Sequence, residues 1–138
     1  MKQSRRKSYV IGLMVAGLGF AGVSLVGAGA ASATDLEGSW HGGGSVSFGA
    51  NEEAVRCRAH YRRTSSRRYR LSATCTTGAT RVTQSAVLRR VSRNEYEGRF
   101  YNSEYNVSGS IYIQLNGSRQ NVTLESSRGS ADLNLRKR

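Results

Sequence analysis

Residues 55–75 read VRCRAHYRRTSSRRYRLSATC. Two arms of alternating character flank a polar centre. In the first arm Val55, Cys57, Ala59 and Tyr61 share one face, while Arg56, Arg58, His60 and Arg62 share the other. In the second arm Tyr69, Leu71, Ala73 and Cys75 share a face. A period of two is the mark of a half-buried strand. Arg63 to Arg68 is the polar turn between the arms, so the stretch predicts an antiparallel hairpin. Folding it about Ser66 sets Tyr61 opposite Leu71, Ala59 opposite Ala73 and Cys57 opposite Cys75. The two cysteines therefore meet on one face, which predicts a disulfide bond.

The same pattern extends in both directions. Upstream, Gly38 to Phe48 alternates with Trp40, Gly42, Gly44, Val46 and Phe48 on one face. Downstream, inward sets follow at Val82, Ala86 and Leu88, with Gln84 as a polar interruption. Further sets are Tyr96, Gly98 and Phe100, then Val107 to Leu115, then Val122 and Leu124, then Ala131, Leu133 and Leu135. Short Gly, Asn and Ser turns separate them. Asn116-Gly117 predicts a type I′ hairpin turn. Eight short strands with no helical stretch predict an all-β, antiparallel up-and-down meander. Closure into a small eight-stranded barrel is favoured because it removes two free edges. A two-sheet sandwich is the alternative.

Residues 1–33 have the layout of a cleaved secretory signal peptide. Lys2, Arg5, Arg6 and Lys7 precede an uncharged run from Tyr9 to Val26, and Ala31-Ser32-Ala33 forms a small-residue cleavage site. A mature chain starting near Thr34 is then one domain, residues 34–138, of periplasmic or secreted location. Four of the 21 basic residues lie before it, which leaves 17 against all 9 acids and a net charge of +8. Of those bases only Lys137 is lysine. An even cysteine count after export favours a structural disulfide. Redox or zinc chemistry would need a CxxC pair or further ligands, and neither is present.

Gly38-Ser39-Trp40 resembles the G-x-W signature of lipocalin-like, calycin-type barrels. The resemblance implies that Trp40 lies near one end of the barrel beneath a late arginine, Arg136 or Arg138. In size, single Trp and disulfide the chain is similar to the small bacterial metalloprotease-inhibitor barrels. Those push an N-terminal segment into the protease cleft, and here Thr34 to Glu37 precede the barrel. Avidins share the architecture but line their pocket with several Trp.

Three sites follow from the residues. The densest is the arginine cluster Arg56, Arg58, Arg62, Arg63, Arg67, Arg68 and Arg70, an anion-binding candidate. Arg presents a planar fork suited to carboxylate, phosphate or sulfate. With the hairpin register above, Arg62 and Arg70 are directly opposed, a repulsive pair that a bound anion would relieve. Tyr61 and Tyr69 flank the turn but point inward, so base stacking is not expected. The second candidate is the barrel interior. Its small inward residues leave either a cavity or, as the favoured expectation, room for Trp40, Tyr61, Tyr96 and Phe100 in a filled barrel. Gln84 and Gln120 would be interior polar groups needing partners. The third pairs Trp40 with Tyr61, and His41 with His60 on the outer face, if the first hairpin turns at Gly49 to Glu52. Two histidines do not make a zinc site, so no metal is expected. Glu95 and Glu97 are expected to pair with Arg89 as surface ion pairs.

Catalysis has no constellation to rest on, and no cofactor is implied. The expectation is an exported, non-enzymatic binding protein whose arginine-rich hairpin contacts an anionic polymer. Lipopolysaccharide, acidic polysaccharide and extracellular DNA are the polymers considered, with an extracytoplasmic protein as the other partner class. An inhibitor barrel and a carrier of a small apolar ligand are the alternatives.

Overall fold

A computed structural model describes residues 35–138, so the expected signal peptide and the expected mature start near Thr34 lie outside the described residues. Eight strands follow one another: β1 (Gly38–Phe48), β2 (Asn51–Arg63), β3 (Arg68–Thr77), β4 (Thr80–Ser92), β5 (Glu95–Asn102), β6 (Val107–Asn116), β7 (Arg119–Ser126) and β8 (Gly129–Lys137). Each pairs antiparallel with its neighbour, and β1 pairs with β8 from Trp40↔Lys137 to Ser47↔Ser130. The sheet is thus a closed barrel in meander order. The described residues contain no helix. Alternation determines the interior. Every second residue of β2, from Val55 to Tyr61, is buried, and the pattern repeats through Leu135 on β8.

The second hairpin has the register read from its sequence, with Tyr61↔Leu71, Ala59↔Ala73, Cys57↔Cys75 and Arg62↔Arg70. Cys57 and Cys75 form a disulfide, Sγ–Sγ 2.06 Å. Such a bond belongs to an oxidising, extracytoplasmic setting. The first hairpin differs from expectation. Its turn is only Gly49-Ala50, because Gly49 adopts φ +58° and lets Phe48 pair with Asn51. Trp40 therefore faces Ala59, and His41 faces Arg58 rather than His60. The register moves by two, so every side chain keeps its face. The β6–β7 turn is also corrected. Asn116 ends the strand opposite Arg119, and only Gly117 has positive φ, at +62°. That is the Gly-first pattern of a type II′ turn, not type I′.

The inward glycines have a reason that composition did not supply. A Cβ on Gly42, Gly44, Gly98 or Gly109 would lie within about 2.0 Å of a carbonyl oxygen on the adjacent strand. These residues mark places where strands coil sharply against one another, as closing a small barrel requires. They do not simply leave volume in the lumen.

A candidate ligand cup at the open end of the barrel

The two ends of the barrel differ. At one end Asp35–Glu37 folds back across the opening and seals it. Leu36 is fully buried, and the Trp40 indole N–H donates to its carbonyl at 2.9 Å. The Tyr69 hydroxyl donates to Asp35 Oδ1 at 2.7 Å, and Lys137 Nζ donates to the Asp35 carbonyl at 2.9 Å. Lys137 Nζ also sits 5.6 Å from the centre of the Trp40 ring. The late cation over the G-x-W tryptophan is thus this lysine, because strand alternation turns its neighbours Arg136 and Arg138 away. The Asp35–Glu37 segment is committed to the barrel instead of projecting from it, as an inhibitor's terminal segment would.

Beneath this seal the barrel is filled. Tyr69 and Tyr96 pack edge to face with ring centroids 5.3 Å apart. Tyr61 donates to Gln120 Oε1 at 2.6 Å, and both are buried. Burial pushes the Tyr61 hydroxyl far above its ordinary range, and the Gln120 bond only partly offsets this. Gln120 Nε2 has no partner among the described residues. Gln84 and Gln120 do not meet; they belong to opposite halves of the lumen.

The other half is not filled, which corrects the expectation of a packed interior. A cup of about 470 Å³ opens between the β1–β2, β3–β4 and β7–β8 turns and the loop after β5. Its wall is apolar, built from Val46, Val55, Val82, Phe100, Leu124 and Leu133, with the Cys57–Cys75 bridge among them. The filled half holds Trp40, Tyr61, Tyr69 and Tyr96, whereas the inward positions of this half are mainly aliphatic, with Phe100 as the aromatic ring in the wall. Gln84 is the polar lining residue set furthest in, opposite Ala73 and one inward step beyond Val82. Glu53, Thr77, Asn102 and Arg128 mark the rim. There Thr77 Oγ1 donates to Glu53 at 2.7 Å. Asn102 accepts from the amides of Glu104 and Tyr105, which fixes the loop after β5. Arg128 donates to the Tyr105 carbonyl at 3.3 Å, tying that loop to the β7–β8 turn.

The arginines of the predicted anion site divide. Arg56, Arg58, Arg62, Arg68 and Arg70 are exposed on the outer face of β2 and β3. Arg63 is not a free cation. Its guanidinium donates to the carbonyls of Ser65 and Ser66, lies 3.8 Å from Asp35 and stands over the Tyr69 ring. Arg90 repeats this arrangement at the next turn on that end, donating to Ser92 and Arg93 carbonyls over the Tyr96 ring. In each case the arginine lies six residues before its tyrosine, a spacing that sequence reading passed over. Arg67 is exposed in the turn itself. The expected ion pairs with Arg89 do not form. Glu97 stands opposite Arg89 without reaching it, and Glu95 accepts from Tyr112 at 2.7 Å. His41 and His60 stay apart, and no group of three metal-ligating side chains exists among the described residues.

No protein-family model matches the chain, and no curated protein is similar to it in sequence. Its architecture is shared by designed barrels. A redesigned β-barrel, mFAP1, bound to DFHBI, superposes with a TM-score of 0.63 at 14% identity, covering 79% of this chain and 98% of that one. A de novo designed fluorescence-activating β-barrel gives 0.60 at 12% identity, covering 75% of this chain and 94% of that one. At these identities the likeness shows the fold: a small, closed, eight-stranded antiparallel barrel of lipocalin-like form.

Proposed function

We infer that the domain is a non-catalytic ligand-binding barrel that holds one small, mainly apolar molecule in its open cup. The observation that carries this reading is the division of the lumen. One half is packed and sealed, and the other is an open apolar space of about 470 Å³. That volume falls within the ordinary range for small-molecule sites, roughly 300–1,000 Å³. A ligand entering it would meet an apolar wall, with the Gln84 amide as its deepest hydrogen-bonding group. The redesigned barrels mFAP1 and mFAP0, bound to DFHBI, share this architecture. Export through the N-terminal signal to the periplasm or beyond is part of the same proposal, and the disulfide fits it.

The test is titration with the uncharged fluorophore N-phenyl-1-naphthylamine. The expected result is saturable one-to-one binding with blue-shifted emission. Ala131→Trp, which adds an indole to the cup wall, should abolish it while circular dichroism stays unchanged. Non-saturable binding, or equal binding by the blocked variant, would sink the reading.

A further inference from the structure

The charge on the barrel wall is one-sided. The outward residues of β2–β5 include eight exposed arginines, Arg56, Arg58, Arg62, Arg68, Arg70, Arg81, Arg89 and Arg99, against Glu52, Glu95 and Glu97. The outward residues of β6–β8 and β1 carry Arg119 and Arg136 against Glu125 and Asp132, and are otherwise mainly Ser, Thr, Asn and Gly. A basic surface serving solubility alone has no reason to gather on one half. None of the eight arginines has a carboxylate within 4.0 Å among the described residues; the single ion pair there is Arg63–Asp35.

Strand register builds a groove within this face. One row across four strands is Arg62, Arg70, Val87 and Arg99. The next row is His60, Ser72, Ser85 and Tyr101. Together they line a shallow groove of about 520 Å³. Three strand spacings make it about 14 Å long. Val87 is 55% exposed and Tyr101 is 47% exposed, so an apolar step and one aromatic ring lie among the three guanidinium groups. The opposed Arg62–Arg70 pair is repulsive as it stands.

We propose that this groove on the outer face of β2–β5 binds an acidic polysaccharide. Guanidinium forks pair with carboxylates or sulfates of the chain. The Ser72 and Ser85 hydroxyls and the His60 ring are suited to sugar hydroxyls. Tyr101 offers a flat face to one sugar ring. A single-stranded nucleic acid would need several aromatic platforms for successive bases, and the groove has one. The site is separate from the cup, and it differs from the cluster read in the sequence. Arg63 is absorbed by its own turn, and Arg99 joins from β5.

The probe is alginate, a polyuronate, measured by calorimetry at low and high salt with dextran and poly(dT) alongside. Wild type should bind alginate in a salt-sensitive manner and leave dextran unbound. The R62Q/R70Q/R99Q variant should bind about 10- to 100-fold more weakly. R119Q/R136Q/R138Q, which removes the same charge from the other half and the C-terminus, should change affinity by less than about twofold. Tyr101→Ala should weaken binding several-fold with charge unchanged. Naphthylamine binding in the cup should be the same in all four proteins, so failure here is distinct from failure of the cup. Equal losses in the two triple variants would show that only net charge matters and overturn the proposal. Absence of alginate binding would overturn it too, as would tighter binding of poly(dT) lost in the same variant, which would make the occupant a nucleic acid.

Discussion

Replacing Gly44 with alanine would put a methyl carbon 1.8 Å from the Asp132 carbonyl oxygen and 2.9 Å from Leu133 Cα. Both atoms are backbone of β8, so no side chain can rotate away. Relief requires opening the β1–β8 seam that closes the barrel. Overpacking a well-packed site costs about 1–3 kcal/mol, and contact with backbone places this case at the upper end. Reduced freedom of the unfolded chain returns about 0.4–1 kcal/mol. The net loss is about 2 kcal/mol or more, from a total of roughly 5–15 kcal/mol for a domain this size. In thermal unfolding that is a fall of roughly 8–16 °C. Gly78→Ala is the comparison. Gly78 has φ +54° with open space around it, so alanine there bears only the left-handed penalty of about 1–2 kcal/mol before the same entropic return. Urea unfolding of both variants should rank Gly44→Ala as the more damaging, although its own φ is unexceptional. If it is no worse than Gly78→Ala, and instead weakens naphthylamine binding at full stability, the glycine serves to keep the lumen open and the coiling argument is wrong.

Replacing Cys57 and Cys75 by alanine should lower stability by about 3 kcal/mol, from the 18-residue separation in the chain-entropy model. Unfolding free energies from urea titration of wild type with and without reductant should differ by a similar amount. Tyr61→Phe removes the 2.6 Å bond to buried Gln120 and should cost about 1–3 kcal/mol, while adding Gln120→Leu should recover most of the loss. Burial raises the Asp35 carboxyl, but the Tyr69 hydroxyl, the amides of Glu37 and Leu36 and the Arg63 guanidinium outweigh it and hold Asp35 below its ordinary value. A folded pKa below the unfolded one contributes stability that is fully present above the ordinary aspartate value and is lost as pH falls from there through the lowered folded value. Asp35→Asn should therefore flatten the acid side of the stability profile, and an unchanged acid limb would contradict the assignment.

Alternation alone determined strand number, the face of each residue and the meander, because side-chain direction in a strand has a period of two and needs no knowledge of neighbours. The polar turn at the second hairpin also determined its register and hence the disulfide. Registers that hinge on a glycine's φ were not legible. At Gly49 the choice between a two-residue and a four-residue turn moved Trp40 from Tyr61 to Ala59. Closure was decided in three dimensions. It brought Lys137 of the last strand to Trp40 of the first, and it made Gly42, Gly44, Gly98 and Gly109 points of backbone approach. It also sorted the interior into a sealed half holding Trp40, Tyr61, Tyr69 and Tyr96 and an open half walled mainly by aliphatic residues and Phe100. The sequence names every inward residue but not its height along the barrel axis, which strand stagger sets. Turn contacts hold Arg63 apart from the opposed Arg62 and Arg70, and only the packed sheet brings Arg99 into their groove.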